Sequence, residues 1–333
     1  MRTAERPDPH RPKSVGRLVI LGATALALVL AACGGAAVAP SPTTVAKATL
    51  AAATIAPATT APTAASTGPA VVNIEASQVG NSFLLKADQI SVPAGKVTFN
   101  FKNSGALTHE VLVYPVQDVT KLVALKRQGT DAEEKDFIKG LAVGLMDIDP
   151  GKSATGDATL APGFYELACW AVGKNPDGTT YEHYDKGQTI TLAVTGPGGP
   201  AASISTPATT INVAMQDGPN GSWLFTPDTL VAKAGAVTFT LTNGMKINHD
   251  FVVFPISDVS GPIAAGLKSG QDIDLASPAV SLFQDLAPGK TDSKSVKLAA
   301  GTYVMACFMV SRNPDGTTFV HRDMGQRITF LVK

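Results

Sequence analysis

The sequence predicts an all-β protein made of two antiparallel Greek-key β-sandwiches in tandem, with short helical insertions. The first observation is an internal repeat, since CWAVGKNPDGTTYEHYDKGQ at 169–188 recurs as CFMVSRNPDGTTFVHRDMGQ at 307–326. The second is a series of short segments in which apolar and polar residues alternate, as in strands with one buried face. The third is the spacing of these segments, which are separated by turns as in sandwich proteins.

Alternation is clearest in one segment of each repeat. Residues 96–103 (KVTFNFKN) and 236–243 (AVTFTLTN) carry an apolar side chain at every second position, which predicts half-buried strands. Further strands are expected at 189–194 and 327–332, near the end of each repeat. One departure is 117–145, where LVALKRQG and DAEEKDFIKGLAVGL favour helices. We expect them as insertions between strands.

The first 32 residues are typical of an export signal. Five basic residues within 1–17 precede an uncharged apolar run of fifteen residues at 18–32. Because a bilayer span needs roughly 20 residues, a cleaved signal peptide is favoured over a signal anchor, which is the alternative. The segment LAACG around Cys33 resembles the lipobox of bacterial lipoproteins. This implies lipidation of Cys33 and a membrane-anchored mature chain, periplasmic or on the outer cell surface.

Composition divides the remainder of the chain. Residues 33–69 form an Ala/Pro/Thr-rich tether that cannot bury enough apolar surface to offset its ordering entropy. Two domain-sized repeats, 70–197 and 209–333, are separated by a linker at 198–208. Removing the leader's five basic and two acidic residues leaves 22 Lys and Arg against 25 Asp and Glu. This charge gives no reason to expect a nucleic-acid partner.

Each repeat contains one cysteine and two histidines, in the order His, Cys, His. The chain has five histidines and three cysteines, and apart from His10 and Cys33 all of them fall in the repeats. The two sets are His109, Cys169 and His183 in the first repeat and His249, Cys307 and His321 in the second. Two imidazoles and a thiolate with a weak axial fourth ligand are the donors of a blue-copper site.

Other interpretations of these residues stay open. Cys169 and Cys307 could form a structural disulfide, provided that their Cα atoms lie within about 7 Å. The histidines could be ordinary core or surface residues. An enzyme is not expected, because multicopper oxidases and copper nitrite reductases need additional histidines and none is left over. Phosphate-loop, HExxH and GxSxG motifs are also absent from the sequence.

These motifs resemble the cupredoxin family, in tandem, over roughly residues 70–197 and 209–333. The resemblance rests on Asn-x5-His after an alternating strand, on Gly-x-Tyr-x3-Cys, and on His-x3-Gly-Gln before a closing strand. It implies a cupredoxin-like sandwich in each repeat, with one type 1 copper held by the two histidines and the cysteine.

The resemblance also implies an axial ligand. The usual methionine is replaced by Gln188 and Gln326, as in the stellacyanin branch, where the amide oxygen favours Cu(II) and lowers the reduction potential. Met324 is a rival ligand in the second repeat. The interval from cysteine to second histidine is long for the family, so we expect it to fold out as a hairpin. Glu110 and Asp250 stand where the family commonly has an Asn that supports the cysteine loop.

The implied function is one-electron transfer by a lipid-anchored, extracytoplasmic protein with two copper ions, acting between redox partner proteins. Two alternatives are kept. One is a copper-binding or copper-delivery lipoprotein, and the other is a metal-free sandwich that acts as an interaction module.

Overall fold

The computed structural model describes residues 69–79, 82–118, 141–256, 280–314 and 316–333. The predicted leader, the lipidation site Cys33, nearly all of the tether and most of the segment 117–145 lie outside these ranges. Within them, all regular structure is β-strand or short 3-10 helix, which confirms the predicted all-β class. No helix among the described residues is long and apolar enough to cross a membrane.

The described part of the first repeat is a succession of short strands. They are β1 Ala70–Val79, β2 Ser82–Ala87, β3 Ser91–Pro93, β4 Gly95–Asn103, β5 His109–Pro115, β6 Val143–Ile148, β7 Ser153–Leu160, β8 Gly163–Ala168, β9 Val172–Lys174, β10 Thr180–Glu182 and β11 Thr189–Thr195. A 3-10 helix, Val116–Asp118, follows β5, and another, Ala202–Ser205, lies in the predicted linker.

The second repeat has the same succession. Its strands are β12 Thr210–Asp217, β13 Trp223–Pro227, β14 Val231–Ala232, β15 Gly235–Asn243, β16 His249–Pro255, β17 Val280–Leu286, β18 Thr291–Leu298, β19 Gly301–Ala306, β20 Val310–Arg312, β21 Thr318–Val320 and β22 Arg327–Val332. Short 3-10 helices lie at Pro219–Gly221 and His321–Met324.

Both repeats arrange their described strands in the same order. The four-stranded sheets run β2-β1-β4-β7 and β13-β12-β15-β18, and the five-stranded sheets run β3-β11-β8-β5-β6 and β14-β22-β19-β16-β17. Pairing is antiparallel except between β1 and β4, between β3 and β11, and in the two equivalent pairs of the second repeat. The sequence repeat is therefore also a repeat of sheet topology.

The alternating segments form interior strands of the four-stranded sheets. In β4, Val97, Phe99 and Phe101 are at most 1 % exposed, whereas the intervening residues are partly or fully exposed. The equivalent positions of β15 show the same pattern. Burying each large apolar side chain stabilises the fold by about 1.5–3 kcal/mol. This pattern therefore fixes which face of the strand packs into the core.

The expectation of a helix up to Leu145 is wrong at its described end. Strand β6 begins at Val143 and pairs antiparallel with β5. Val143 and Leu145 are buried, while Gly144 between them is exposed. Burial therefore follows the two-residue period of a strand and not the 3.6-residue period of a helix. Residues 119–140 of the predicted insertion lie outside the described ranges.

The two repeats pack against each other through β11 and β22, within one compact unit. The backbone N–H of Thr191 donates to Thr329 Oγ1 at 2.5 Å, and the backbone N–H of Thr329 donates to Thr191 Oγ1 at 2.9 Å. The two threonines are 138 residues apart, as the repeats are. This reciprocal pair marks a local twofold relation of the kind found at isologous interfaces.

Charged and aromatic side chains add to this interface. The guanidinium of Arg327 lies 4.3 Å from the ring centroid of Tyr184, and Arg322 Nη2 lies 3.5 Å from Asp185 Oδ1. Both arginines belong to the second repeat and both partners to the first. A desolvated cation over an aromatic ring contributes about 2 kcal/mol, so the interface is complementary in charge as well as in hydrogen bonding.

We predict that Thr191→Val and Thr329→Val each lower the free energy of unfolding by about 1–3 kcal/mol, because each leaves a buried backbone N–H without its acceptor. Chemical denaturation of the metal-free chain measures the loss. Thr238→Val is the control, because its hydroxyl pairs with Ser295 on an exposed face and surface changes stay within about 0.5 kcal/mol. Losses no larger than that of the control would contradict the described interface.

Candidate metal centres

The structure brings the three predicted ligands of the first repeat to a common point, called site A (His109, Cys169 and His183). The Nδ1 atoms of the two histidines are 3.0 Å apart. The sulfur of Cys169 lies 3.9 Å from His109 Nδ1 and 3.5 Å from His183 Nδ1. All three residues are buried, and their candidate ligand atoms lie within 4.8 Å of one another.

The second repeat builds the same arrangement, called site B (His249, Cys307 and His321). The Nδ1 atoms are 3.1 Å apart, and the sulfur lies 3.8 Å from His249 and 3.4 Å from His321. Three donors spaced evenly around a first-row metal at bond lengths near 2.0–2.3 Å would lie about 3.5 Å from one another. The separations in both sites match that spacing.

The Asn-x5-His motif has a structural explanation. Asn103, at the end of β4, is fully buried. Its Nδ2 donates to the carbonyls of Leu107 at 2.8 Å and Ile148 at 2.7 Å, and its Oδ1 accepts from Gly105 N at 2.8 Å. One side chain therefore shapes the whole turn that places His109 at the start of β5. Asn243 makes the equivalent three hydrogen bonds in the second repeat.

The segment between cysteine and second histidine folds out as a hairpin, as predicted. Strands β9 and β10 form it in the first repeat, and β20 and β21 form it in the second. Asn175 N donates to Thr179 O at 2.8 Å across the NPDGTT turn, where Gly178 adopts a φ of 84°. The chain then returns, and His183 N donates to Ala171 O at 2.9 Å. This contact sets the second imidazole against the cysteine.

Backbone N–H groups point at both sulfurs. Glu110 N lies 3.4 Å from Cys169 Sγ, and Asp250 N lies 3.3 Å from Cys307 Sγ. Such donors stabilise the thiolate form, which is the metal-binding form of cysteine. Neither cysteine forms a disulfide, because each sulfur faces the two imidazoles of its own repeat. The disulfide interpretation is therefore wrong.

A carboxylate lies directly after the first histidine in both repeats. Glu110 is buried, and its Oε1 accepts a hydrogen bond from Trp170 N at 2.9 Å. It thus supports the cysteine loop. Asp250 accepts a hydrogen bond from Asp285 N at 2.9 Å. Outer contacts of this kind orient metal ligands.

Gln188 and Gln326, the predicted axial ligands, are both fully buried. The side chain of Gln188 raises the pKa of His109 and His183, and that of Gln326 raises the pKa of His249, so each amide lies beside its site. Neither carbonyl oxygen has a hydrogen-bond partner among the described residues. A buried oxygen without a partner is costly, and a metal ion at the centre would satisfy it. Met324, the rival ligand, ends the 3-10 helix His321–Met324. The methionine that contacts the amide of Gln326 is Met245, with Sδ 3.5 Å from Nε2.

Aromatic rings cover the second histidines. Phe83 stacks on His183, with centroids 4.4 Å apart and an interplanar angle of 14°. Trp223 packs edge-on against His321 at 4.6 Å and 82°. Neither aromatic residue was predicted as part of a site, although an aromatic residue at the same place in both repeats was an available signal. No comparable sequence pattern marks Met245.

Burial dominates the electrostatics of both sites. It lowers the pKa of His183 to about 4, that of His249 to about 4 and that of His321 to about 3. The pKa of His109 is lowered for the same reason. The neighbouring imidazole adds to the depression at His183 and His321. All four imidazoles are therefore neutral at pH 7, which is the state that binds a metal.

These residues fit a bound copper ion. Each site offers two neutral imidazoles, one sulfur near backbone N–H groups and one buried amide oxygen without a partner in the described chain. This is the donor set of a type 1 copper site with a glutamine axial ligand. The candidate ligands lie close enough together, and are buried enough, to bind a copper ion. Copper binding itself stays a prediction.

No protein-family model matches the chain, and no curated protein matches it. Among solved structures, reduced auracyanin from Roseiflexus castenholzii is similar, with 22 % identity, a TM-score of 0.27, and coverage of 38 % of this chain and 99 % of that chain. Azurin from Methylomonas sp. strain J shows 16 % identity, a TM-score of 0.29, and coverage of 39 % and 100 %. A multicopper oxidase shows 14 % identity, a TM-score of 0.26, and coverage of 79 % and 88 %.

We predict that the metal-free protein becomes less stable as the pH falls from about 6.5 towards 4. The unfolded chain binds protons at its histidines over that window while the folded chain does not, so unfolding takes up protons. Glu166 acts in the opposite direction, because burial raises its pKa, but four histidines outnumber it. Denaturant midpoints measured between pH 7.5 and 4.5 test this, and a flat profile would count against buried neutral imidazoles.

Proposed function

We propose that the chain is a blue-copper electron-transfer protein with one type 1 copper in each of two cupredoxin-like domains, 70–197 and 209–333. The observation that carries this proposal is the convergence of two Nδ1 atoms and one sulfur in both repeats. One-electron exchange between Cu(I) and Cu(II) is the chemistry that a copper ion bound there would supply. The protein's residues supply the geometry that both oxidation states share.

The surroundings of each site favour electron transfer over substrate chemistry. All six candidate ligands are at most 2 % exposed. Two features hold the histidines and the cysteine in place without a bound metal. They are the backbone N–H donors to sulfur and the hairpin that returns the second histidine. A preorganised, water-excluding site lowers the rearrangement that accompanies a change of charge. A catalytic metal site, in contrast, keeps an open coordination position.

The same burial argues against copper delivery, because handing a metal to a partner requires accessible ligands. In our proposal the chain is exported and lipid-anchored at Cys33, and the tether 33–69 extends it toward redox partner proteins at the membrane or cell surface. It is an electron carrier rather than an enzyme.

We predict that the full chain loaded with Cu(II) is blue and binds two copper ions. Cys169→Ala and Cys307→Ala should each remove one copper ion and part of the colour, and the double variant should be colourless, because the thiolate is the ligand responsible for it. Metal analysis with visible spectroscopy measures both. Cys33→Ser is the matched control and should keep both ions. A colourless parent chain would refute the proposal.

A further prediction concerns the axial ligand. Gln188→Met should raise the reduction potential of site A, because replacing an amide oxygen with a thioether favours Cu(I). Redox titration in a Cys307→Ala chain, which retains site A alone, isolates the effect. Gln78→Met, at an exposed position of β1, is the control. An unchanged potential in Gln188→Met would show that Gln188 is not the axial ligand.

A further inference from the structure

The turns that precede the two first histidines have the same backbone but differ at one side chain. Gly105 N donates to Asn103 Oδ1 at 2.8 Å, and Met245 N donates to Asn243 Oδ1 at 2.9 Å. Gly105 and Met245 therefore occupy equivalent positions. The first repeat places no side chain there, whereas the second places a thioether.

Met245 lies against site B. Its side chain is 4 % exposed, and its sulfur accepts a hydrogen bond from Gln326 Nε2 at 3.5 Å. The other end of the amide, Gln326 Oε1, has no hydrogen-bond partner among the described residues. The side chain of Gln326 also raises the pKa of His249, which places the amide beside that imidazole. The amide nitrogen is thus held by sulfur, and the oxygen is left for the centre of the site.

Site A lacks this arrangement. Neither Oε1 nor Nε2 of Gln188 has a hydrogen-bond partner among the described residues. A Cβ atom at Gly105 would lie 2.7 Å from His109 Nε2, so a side chain there requires the ring to move. Because the oxygen and the NH₂ group of an amide are nearly the same size, only hydrogen bonding selects which one faces a metal. In site A, Gly105 stands at the position of Met245, so no thioether there can make that selection.

We propose that Met245 is a positioning residue of site B: its sulfur holds the amide nitrogen of Gln326, which fixes the amide oxygen as the atom presented to the metal. This rests on the function proposed above. Since the axial ligand tunes the potential of such a site, Met245 makes two sites with identical donors unequal.

The test uses the full chain carrying Cys169→Ala, in which site B alone is left. Met245→Leu removes the sulfur and keeps the approximate volume. Met215→Leu is the matched control, because Met215 is a fully buried methionine of the same repeat, on β12. We expect Met245→Leu to shift both the reduction potential and the electron paramagnetic resonance spectrum, and Met215→Leu to shift neither. An unchanged potential and spectrum in Met245→Leu would overturn the proposal.

A test in a second mutant background distinguishes a positioning role of Met245 from a role in packing alone. Residues that act through a shared partner are non-additive in a double-mutant cycle. In a Gln326→Leu chain, Met245→Leu should therefore produce no further shift of potential. A shift of the same size in both backgrounds would show that Met245 does not act through Gln326, and the proposal would fail.

A metal-free readout keeps this inference distinguishable from the proposed function. In the apo chain, the side-chain NH₂ resonances of Gln326 should move on Met245→Leu and stay in place on Met215→Leu. If the parent chain binds no copper, the proposed function fails, while this measurement still reports on the contact. Gln326 resonances that do not respond to Met245→Leu would overturn the positioning role itself.

Discussion

One backbone hydrogen bond in each repeat closes the loop on which the candidate site depends. Cys169 N donates to Gln188 O at 3.0 Å, and Cys307 N donates to Gln326 O at 3.1 Å. Each bond continues the ladder between the strand before the cysteine and the strand after the glutamine. The sheet therefore fixes both ends of the loop, and the hairpin between them only has to return the second histidine. Sulfur and amide are brought together by pairing register rather than by contacts of their own.

The interface between the repeats uses residues from these same loops. Tyr184 follows His183 directly, and Arg327, which lies over its ring, follows Gln326. Asp185 and Arg322 form the second contact, again one or two residues from a candidate ligand. Packing of one repeat on the other therefore restrains the loops of both sites. Each repeat therefore gains part of the rigidity of its site from its partner.

The sequence was informative where the determinant was local or repeated. Alternation located β4 and β15 to within one residue, and the shared order of His, Cys and His identified both trios. It failed where the outcome depended on pairing across the fold. The parallel partners of β4 and β15 are set by tertiary packing. The residues up to Leu145 have helix-like spacing, but in the fold β6 pairs with β5 as a strand. Met245 could not be predicted, because a methionine four residues before a histidine forms no recognised sequence motif.

Differences between the repeats are concentrated immediately outside the donors. His321 Nε2 lies 2.7 Å from Ser311 Oγ, and this partner favours a tautomer that leaves Nδ1 free to bind. At the equivalent position in the first repeat, Gly173 cannot carry such a side chain, because its Cβ would lie 2.4 Å from the Tyr181 ring. Identical donors in unequal surroundings have unequal affinities and potentials. Under the proposed function, this difference would be a physical basis for direction in electron flow, which two identical sites could not provide.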